Sequence, residues 1–162
     1  MSNIPSISEL YDLDHTIAKA LFLRHTYPWE VLKELKAFIL ALGETLPTDE
    51  YDHPEEGVWI AKDAKVFPSA YIGAPCIIDH GAEIRHCAFI RGSAVIGKNA
   101  VFGNSCEIKN SIIFDDAQTP HYNYVGDSVL GWHAHMGAGS ITSNVKSDRT
   151  NIVIRCGKET AE

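Results

Sequence analysis

The chain has 162 residues, enough for one domain with a small appendage and too few for two domains of ordinary size. Its formal net charge of −7 and pI near 5.6 repel phosphate backbones and anionic lipid, so neither nucleic acid nor membrane is expected as a partner. The opening MSNIPSISEL lacks a basic region followed by an apolar run, and no stretch approaches the roughly 20 apolar residues of a membrane span, so a cytoplasmic location is expected.

Residues 1–45 read as a helical cap built from two helices. Ser6 and Glu9 have capping-box spacing, and Leu10, Leu13, Ile17 and Leu21 then recur at intervals of three and four. A second helix is predicted from Pro28, with Leu32, Leu35, Ile39 and Leu42 as its apolar stripe and Gly43 as its stop. The pair is expected to form an antiparallel hairpin that caps the N-terminal end of the main domain. Residues 46–57 carry prolines and acidic side chains without an apolar period, as a solvated linker does.

From residue 60 a different rule applies. Ile60, Val66, Ile72, Ile78, Ile84, Ile90, Ile96, Phe102, Ile108 and Phe114 stand at intervals of six, and a small residue follows most of them four positions later, as at Ala82, Ala88 and Cys106. Neither a helix, with period 3.6, nor an ordinary strand, with period 2, satisfies that spacing. A solenoid does: three hexads close a triangular coil of 18 residues, with the large side chain inside and the small one where the walls converge. Residues 58–162 are therefore expected to form a hexapeptide-repeat parallel β-helix, making the chain mainly β. Cys76, Cys87, Cys106 and Cys156 show no CxxC spacing and read as thiols rather than as a metal or redox set.

After Phe114 the hexads fail, and DDAQTPHYNYVGD reads as a loop leaving one corner, the kind of place where solenoids carry function. Within it His121 is the side chain best suited to take a proton near neutral pH, although a lone histidine is more often structural. Arg91 and Lys109 lie 18 residues apart, each directly after an interior aliphatic, so they should stack on successive coils. Two stacked cations repel unless an anion such as a phosphate lies between them, or unless each pairs with an acidic neighbour such as Glu107 or Glu83. Zinc ligation of the γ-carbonic anhydrase kind would draw on His80, His86, His121, His133 and His135, but that family's HxxxxHGC stretch is missing and no metal is expected.

Residues 103–145, GNSCEIKNSIIFDDAQTPHYNYVGDSVLGWHAHMGAGSITSNV, closely resemble the acetyltransferase half of the bifunctional N-acetylglucosamine-1-phosphate uridyltransferase/glucosamine-1-phosphate acetyltransferase family. With YPWEVL and CAFIRGSAVIG included, the chain is similar to the stand-alone proteins related to UDP-N-acetylglucosamine pyrophosphorylase, which have the β-helix without the nucleotidyltransferase domain. The resemblance implies a left-handed β-helix, a homotrimer, and acyl transfer from acetyl-CoA to the amine of a sugar phosphate with no metal required. It implies His121 as catalytic base, Arg91, Lys109 and Tyr124 as phosphate-side contacts, Ala138 as the point of approach to acetyl-CoA, and His135 and Asn144 as acceptor-side contacts. His135 stands where the family has asparagine, and Val145 replaces a tyrosine. The family's β-helix continues for several coils that carry most of the acetyl-CoA pocket, so a chain ending at Glu162 is expected to hold the acceptor half of the site, and a non-catalytic sugar-phosphate-binding module or scaffold is the alternative.

Overall fold

The computed structural model describes residues 4–143, 145–157 and 159–161. Its N-terminal third is a string of short helices rather than a two-helix hairpin: α1 (Ile7–Leu10), a 3₁₀ turn at Leu13–His15, α2 (Lys19–Phe22), a 3₁₀ segment at Pro28–Lys33 and α3 (Leu35–Gly43). The Ser6/Glu9 capping box is present, with Ser6 N–H donating to Glu9 at 2.8 Å. The helix fails to continue because polar side chains capture backbone donors downstream. Asp12 accepts from Asp14 N–H at 3.1 Å and Thr16 from Ala18 N–H at 3.2 Å, local bonds that compete with the helical ladder. Leu10 is accordingly half exposed, while Ala18, Leu21 and Phe22 are fully buried.

Strand β1 (Tyr51–Glu55) lies within the stretch expected to be a solvated linker and pairs antiparallel with β2 (Val58–Ala61). From β2 the chain winds into five coils. The first holds β2, β3 (Lys65–Val66) and β4 (Tyr71–Ile72), and the second β5 (Cys76–Ile78), β6 (Glu83–Ile84) and β7 (Phe89–Ile90). The third holds β8 (Ala94–Ile96), β9 (Val101–Asn104) and β10 (Glu107–Lys109), and the fourth β11 (Ser111–Ile113), β12 (Gln118–His121) and β13 (Tyr124–Gly126). The fifth contains β14 (Val129–Leu130), an isolated bridge from Gln118 to His135, and β15 (Ile141–Thr142). Corresponding strands stack in parallel into three walls: A through β2, β5, β8, β11 and β14; B through β3, β6, β9 and β12; C through β4, β7, β10, β13 and β15. Ile78, Ile84, Ile90, Ile96, Phe102 and Ile108 fill the interior at 0 % exposure, each contributing about 1.5–3 kcal/mol relative to an exposed position.

The coils do not keep the strict six-residue rule. Corners are marked by left-handed backbone at Gly81, Cys87, Ser93, Asn99, Ser105, Asn110, Asp116, Tyr122, Asp127, His133 and Gly139, which are six residues apart except for Ser105 to Asn110 and Asp127 after Tyr122, where the gap is five. Each shortened corner removes one residue, so Ile96 pairs with Ile113 rather than Phe114. Phe114 turns outward and packs edge-on against Phe22 at a centroid distance of 5.3 Å. The interior column then continues through Thr119 and Val125, so DDAQTPHYNYVGD is not a loop but the fourth coil itself, paired to β9 and β10.

The helical layer does not close an end of the solenoid. It lies along the outer face of wall A, where Trp59, Ile77, Val95 and Ile112 join Ile7, Leu21, Phe22, Leu35 and Ile39 in a second core. Such an apolar outer row requires a cover. Gly43 permits close contact there, since a Cβ would stand 2.4 Å from the Trp59 ring. Among the described residues the parallel ladder ends at β15, and β16 (Ile154–Cys156) pairs antiparallel with β17 (Glu159–Ala161) instead of adding a further coil. No helix among the described residues is long and apolar enough to cross a membrane.

Candidate functional site

Wall C and the corners at its two ends bring most of the singled-out residues together. At the far end, Arg91 N–H donates to Ile108 O at 2.9 Å, and Lys109 pairs with Gly126, so residues 91, 109 and 126 form one column across three coils. The two cations are not left facing one another. Arg91 Nη1 lies 2.9 Å from Glu107 Oε1, and Lys109 Nζ lies 3.2 Å from Asp127 Oδ2. Asn110 Nδ2 donates to the other Asp127 oxygen at 2.8 Å. All four charged groups are partly exposed, so these pairs are worth at most ~1 kcal/mol each and can be exchanged for another anion at small cost. Tyr124 adds a phenol to the column: its Oη would be 2.5 Å from a Cβ at Gly126, so only glycine leaves room for the ring beside Lys109.

His121 is the last residue of β12, in wall B, at the corner where β12 gives way to β13 and wall C begins, rather than beside the two cations. It pairs with Asn104 of the coil before. On the coil after, Gly139 N–H donates to His121 O at 3.0 Å, which puts Ala138 next to His121. Ala138 is flanked by Gly137 and Gly139, and a Cβ at Gly139 would meet nothing within 4 Å, so the approach over this corner is open. The imidazole is exposed and has no hydrogen-bond partner among the described residues. Tyr122, next in the chain, holds left-handed φ of 51°, an uncommon state for an aromatic residue and a local cost of about 1–3 kcal/mol. His135 is exposed on the fifth coil, bridged to Gln118 three residues before His121. Asn144 lies outside the described residues.

The corner is held from beneath by a residue the sequence did not flag for any role. Asn123 is 2 % exposed. Its Oδ1 accepts from His121 N–H at 3.1 Å, and its Nδ2 donates to Gly137 O at 2.8 Å and Ser140 O at 3.3 Å. One side chain thus ties the His121 backbone to the turn carrying Ala138. Below it, burial pushes the Cys106 thiol upward in pKa, and the neutral thiol donates to Thr119 O at 3.1 Å. Asn123→Ala leaves His121 N–H without its partner and takes one of two donors from Gly137 O and Ser140 O, which keep Ser140 N–H and Tyr124 N–H, so urea unfolding should show a loss of about 1–2 kcal/mol. A change below ~0.5 kcal/mol would contradict this bonding role.

Histidines elsewhere have other partners. His80 sits between Asp63 at 3.0 Å and Glu50 at 3.3 Å, and His86 meets Ser69 at 3.2 Å. Among the described residues, no three His, Cys, Asp or Glu side chains group so as to hold a metal ion.

Part of the chain is similar to curated proteins. The bifunctional protein GlmU of Methanococcus maripaludis strain C5 is 42% identical over 50 residues, 31% of this chain and 12% of that protein. The GlmU protein of Chelativorans sp. strain BNC1 is 51% identical over 39 residues, 24% of this chain and 9% of that protein. A bifunctional sugar-1-phosphate nucleotidylyltransferase/acetyltransferase of Sulfurisphaera tokodaii is 36% identical over 50 residues, 31% of this chain and 12% of that protein. The chain thus spans about an eighth of the length of the first of these relatives. Among solved structures, the acetyltransferase domain of PglB from Neisseria gonorrhoeae in complex with acetyl coenzyme A superposes with a TM-score of 0.51 at 22% identity, covering 52% of this chain and 42% of that one, a likeness of fold. The family profile described as the GMPPB C-terminal domain matches residues 72–154, from β4 to the start of β16 and just over half of the chain, and this hexapeptide-repeat, acyltransferase-like β-helix belongs to that family.

Proposed function

We propose that wall C is the acceptor site of an acetyl-CoA-dependent N-acyltransferase acting on an amino-sugar phosphate, of the kind represented by glucosamine 1-phosphate in nucleotide-sugar metabolism. One observation carries this reading: a cationic column with a phenol stands at one end of wall C, and an open histidine stands at the corner from wall B that leads into its other end. The three strand residues of β13 set the ends apart by ~10 Å at about 3.3 Å per residue; because the amine and phosphate of glucosamine 1-phosphate are on adjacent ring carbons, the long Arg91 and Lys109 side chains and the His121 ring must reach inward to close the rest of that distance. The phosphate would displace Glu107 and Asp127 from Arg91 and Lys109 and take a hydrogen bond from Tyr124. The amine would then lie at His121. His121 takes the proton as the amine attacks the thioester carbonyl, and the tetrahedral intermediate collapses with release of the coenzyme A thiol. Donor approach is assigned to the open turn at Ala138, and acceptor contacts to His135 and Asn144.

A cytoplasmic homotrimer goes with this reading: on the outer face of wall C, Tyr71 and Phe89 pack ring to ring at 5.5 Å and are 61% and 43% exposed, an apolar pair that a second copy would cover. A second reading, a sugar-phosphate-binding module without turnover, is favoured by the carboxylate partner that each cation already has.

Thiol release from acetyl-CoA separates these readings. Glucosamine 1-phosphate should release thiol and glucose 1-phosphate should not. Lys109→Ala should raise the acceptor KM at least tenfold with little change in Tm, because its exposed ion pair contributes at most ~1 kcal/mol to the fold. Equal release with and without the amine would sink the acyltransferase reading, and calorimetric binding of glucosamine 1-phosphate without turnover would favour the module.

A further inference from the structure

A second site lies on the opposite side of the molecule from wall C, in the seam between the helical layer and wall A. A cavity of about 240 Å³ opens there, and its lining includes Thr16, Ile17, Tyr51, Asp79, Lys98 and Asp115. Asp79 is 0 % exposed. Its Oδ1 accepts two hydrogen bonds, from the Tyr51 hydroxyl at 2.5 Å and from His80 N–H at 2.8 Å. Its Oδ2 is buried and has no partner among the described residues. Burial, reinforced by Asp79, pushes the Tyr51 phenol far above its ordinary range, so Tyr51 remains a donor and Asp79 the acceptor.

Asp115 converges on the same place. A Cβ at Gly97 would stand 2.7 Å from Asp115 Oδ1, so glycine is what lets this carboxylate of the fourth coil fold back over the third, toward Asp79 on the second. Lys98 N–H donates to Asp115 Oδ1 at 2.8 Å. Burial raises the Asp115 carboxyl, and the charge of Asp79 adds to that shift. Among the described residues neither carboxylate has an ion-pair partner within 4.0 Å; the charges of Lys98 and His15 act on Asp115 only from farther away, partly offsetting the upward shift. Buried charges are ordinarily paired, and an orphaned buried carboxylate oxygen calls for a donor.

We propose that this seam binds a small organic ammonium, its N–H groups donating to Asp79 Oδ2 and to Asp115 while its alkyl part lies against Ile17 and the Tyr51 ring. An ammonium suits the cavity better than a bare metal ion. The volume is many times that of an ion, and the described residues hold no group of three ligating side chains. An ammonium needs only acceptors, which the two carboxylates supply.

Calorimetry on the full chain with butylammonium chloride tests this, with sodium and magnesium chlorides at matched ionic strength as controls. One site per chain is expected for butylammonium and none for the metal salts. Asp115→Asn and Asp79→Asn should each weaken binding at least tenfold, whereas Asp148→Asn, on an exposed turn, should not. If Asp79→Asn does not fold, Asp115→Asn alone carries the comparison. Absence of saturable binding, magnesium binding at the same residues, unchanged affinity in Asp115→Asn, or binding only after Lys98→Met would each overturn the proposal.

Discussion

Replacing Gly103 with alanine is expected to destabilise the protein by at least ~3 kcal/mol, a fall in Tm of roughly 6–12 °C for a chain of this size. Gly103 lies in β9 beneath Pro120 of the next coil, and a Cβ there would stand 1.8 Å from Pro120 O and 2.1 Å from its carbonyl carbon. Both are backbone atoms of a packed parallel ladder, so no side chain can swing aside. The fourth coil must lift by more than 1 Å just where it presents His121, and a displacement of that size at a reacting group is worth about 10²-fold in rate. Gly139→Ala is the matched comparison. Its φ of 75° makes alanine strained by about 1–2 kcal/mol, but its Cβ meets nothing, so the coil beneath should stay in place. Thermal unfolding of the two variants distinguishes these mechanisms, and equal losses would show that the close approach at Gly103 is not what sets the coil spacing.

Much of the solenoid was legible because its interior is a repeating demand for one large apolar side chain per wall. The register from Ile60 to Ile108 follows the six-residue spacing, and Arg91 aligns with Lys109 because no shortened corner falls between them. Beyond Lys109 the same rule misleads. Ser105 to Asn110 is one residue short, which sends Phe114 outward and makes Ile113 the interior residue. With Thr119 in place of an aliphatic, the fourth coil then looks like an insertion, although it pairs as strands throughout. The neighbourhood of His121 and Ala138, 17 residues apart, was therefore hidden from an 18-residue rule.

Other features were present in the sequence but depend on which way side chains point. Trp59, Ile77 and Val95 are spaced by 18 and face outward, so wall A needed a cover along its side, and the helical layer supplies it. Asn123 looked like an ordinary polar turn residue. Its importance follows from being buried beneath a corner where, among the described residues, it alone bonds His121 N–H and also ties in Gly137 O and Ser140 O of the next coil.

His121 is the residue on which the functional account turns. Its backbone is bonded to neighbouring coils and to Asn123, while its imidazole is exposed and bonded to nothing among the described residues. Truncating it should therefore leave the fold almost untouched and remove the proton acceptor. A positioned general base contributes about 10²–10⁴ in rate, equivalent to about 3–5 kcal/mol of barrier, whereas loss of an exposed, unbonded ring changes stability by roughly 0.5 kcal/mol or less. The most direct measurement is kcat for thiol release from acetyl-CoA with glucosamine 1-phosphate, compared between the unmodified chain and His121→Ala at matched Tm. The account predicts turnover by the unmodified chain and a drop of about 10²–10⁴-fold in the variant; turnover equal in both, or none in either, would contradict it.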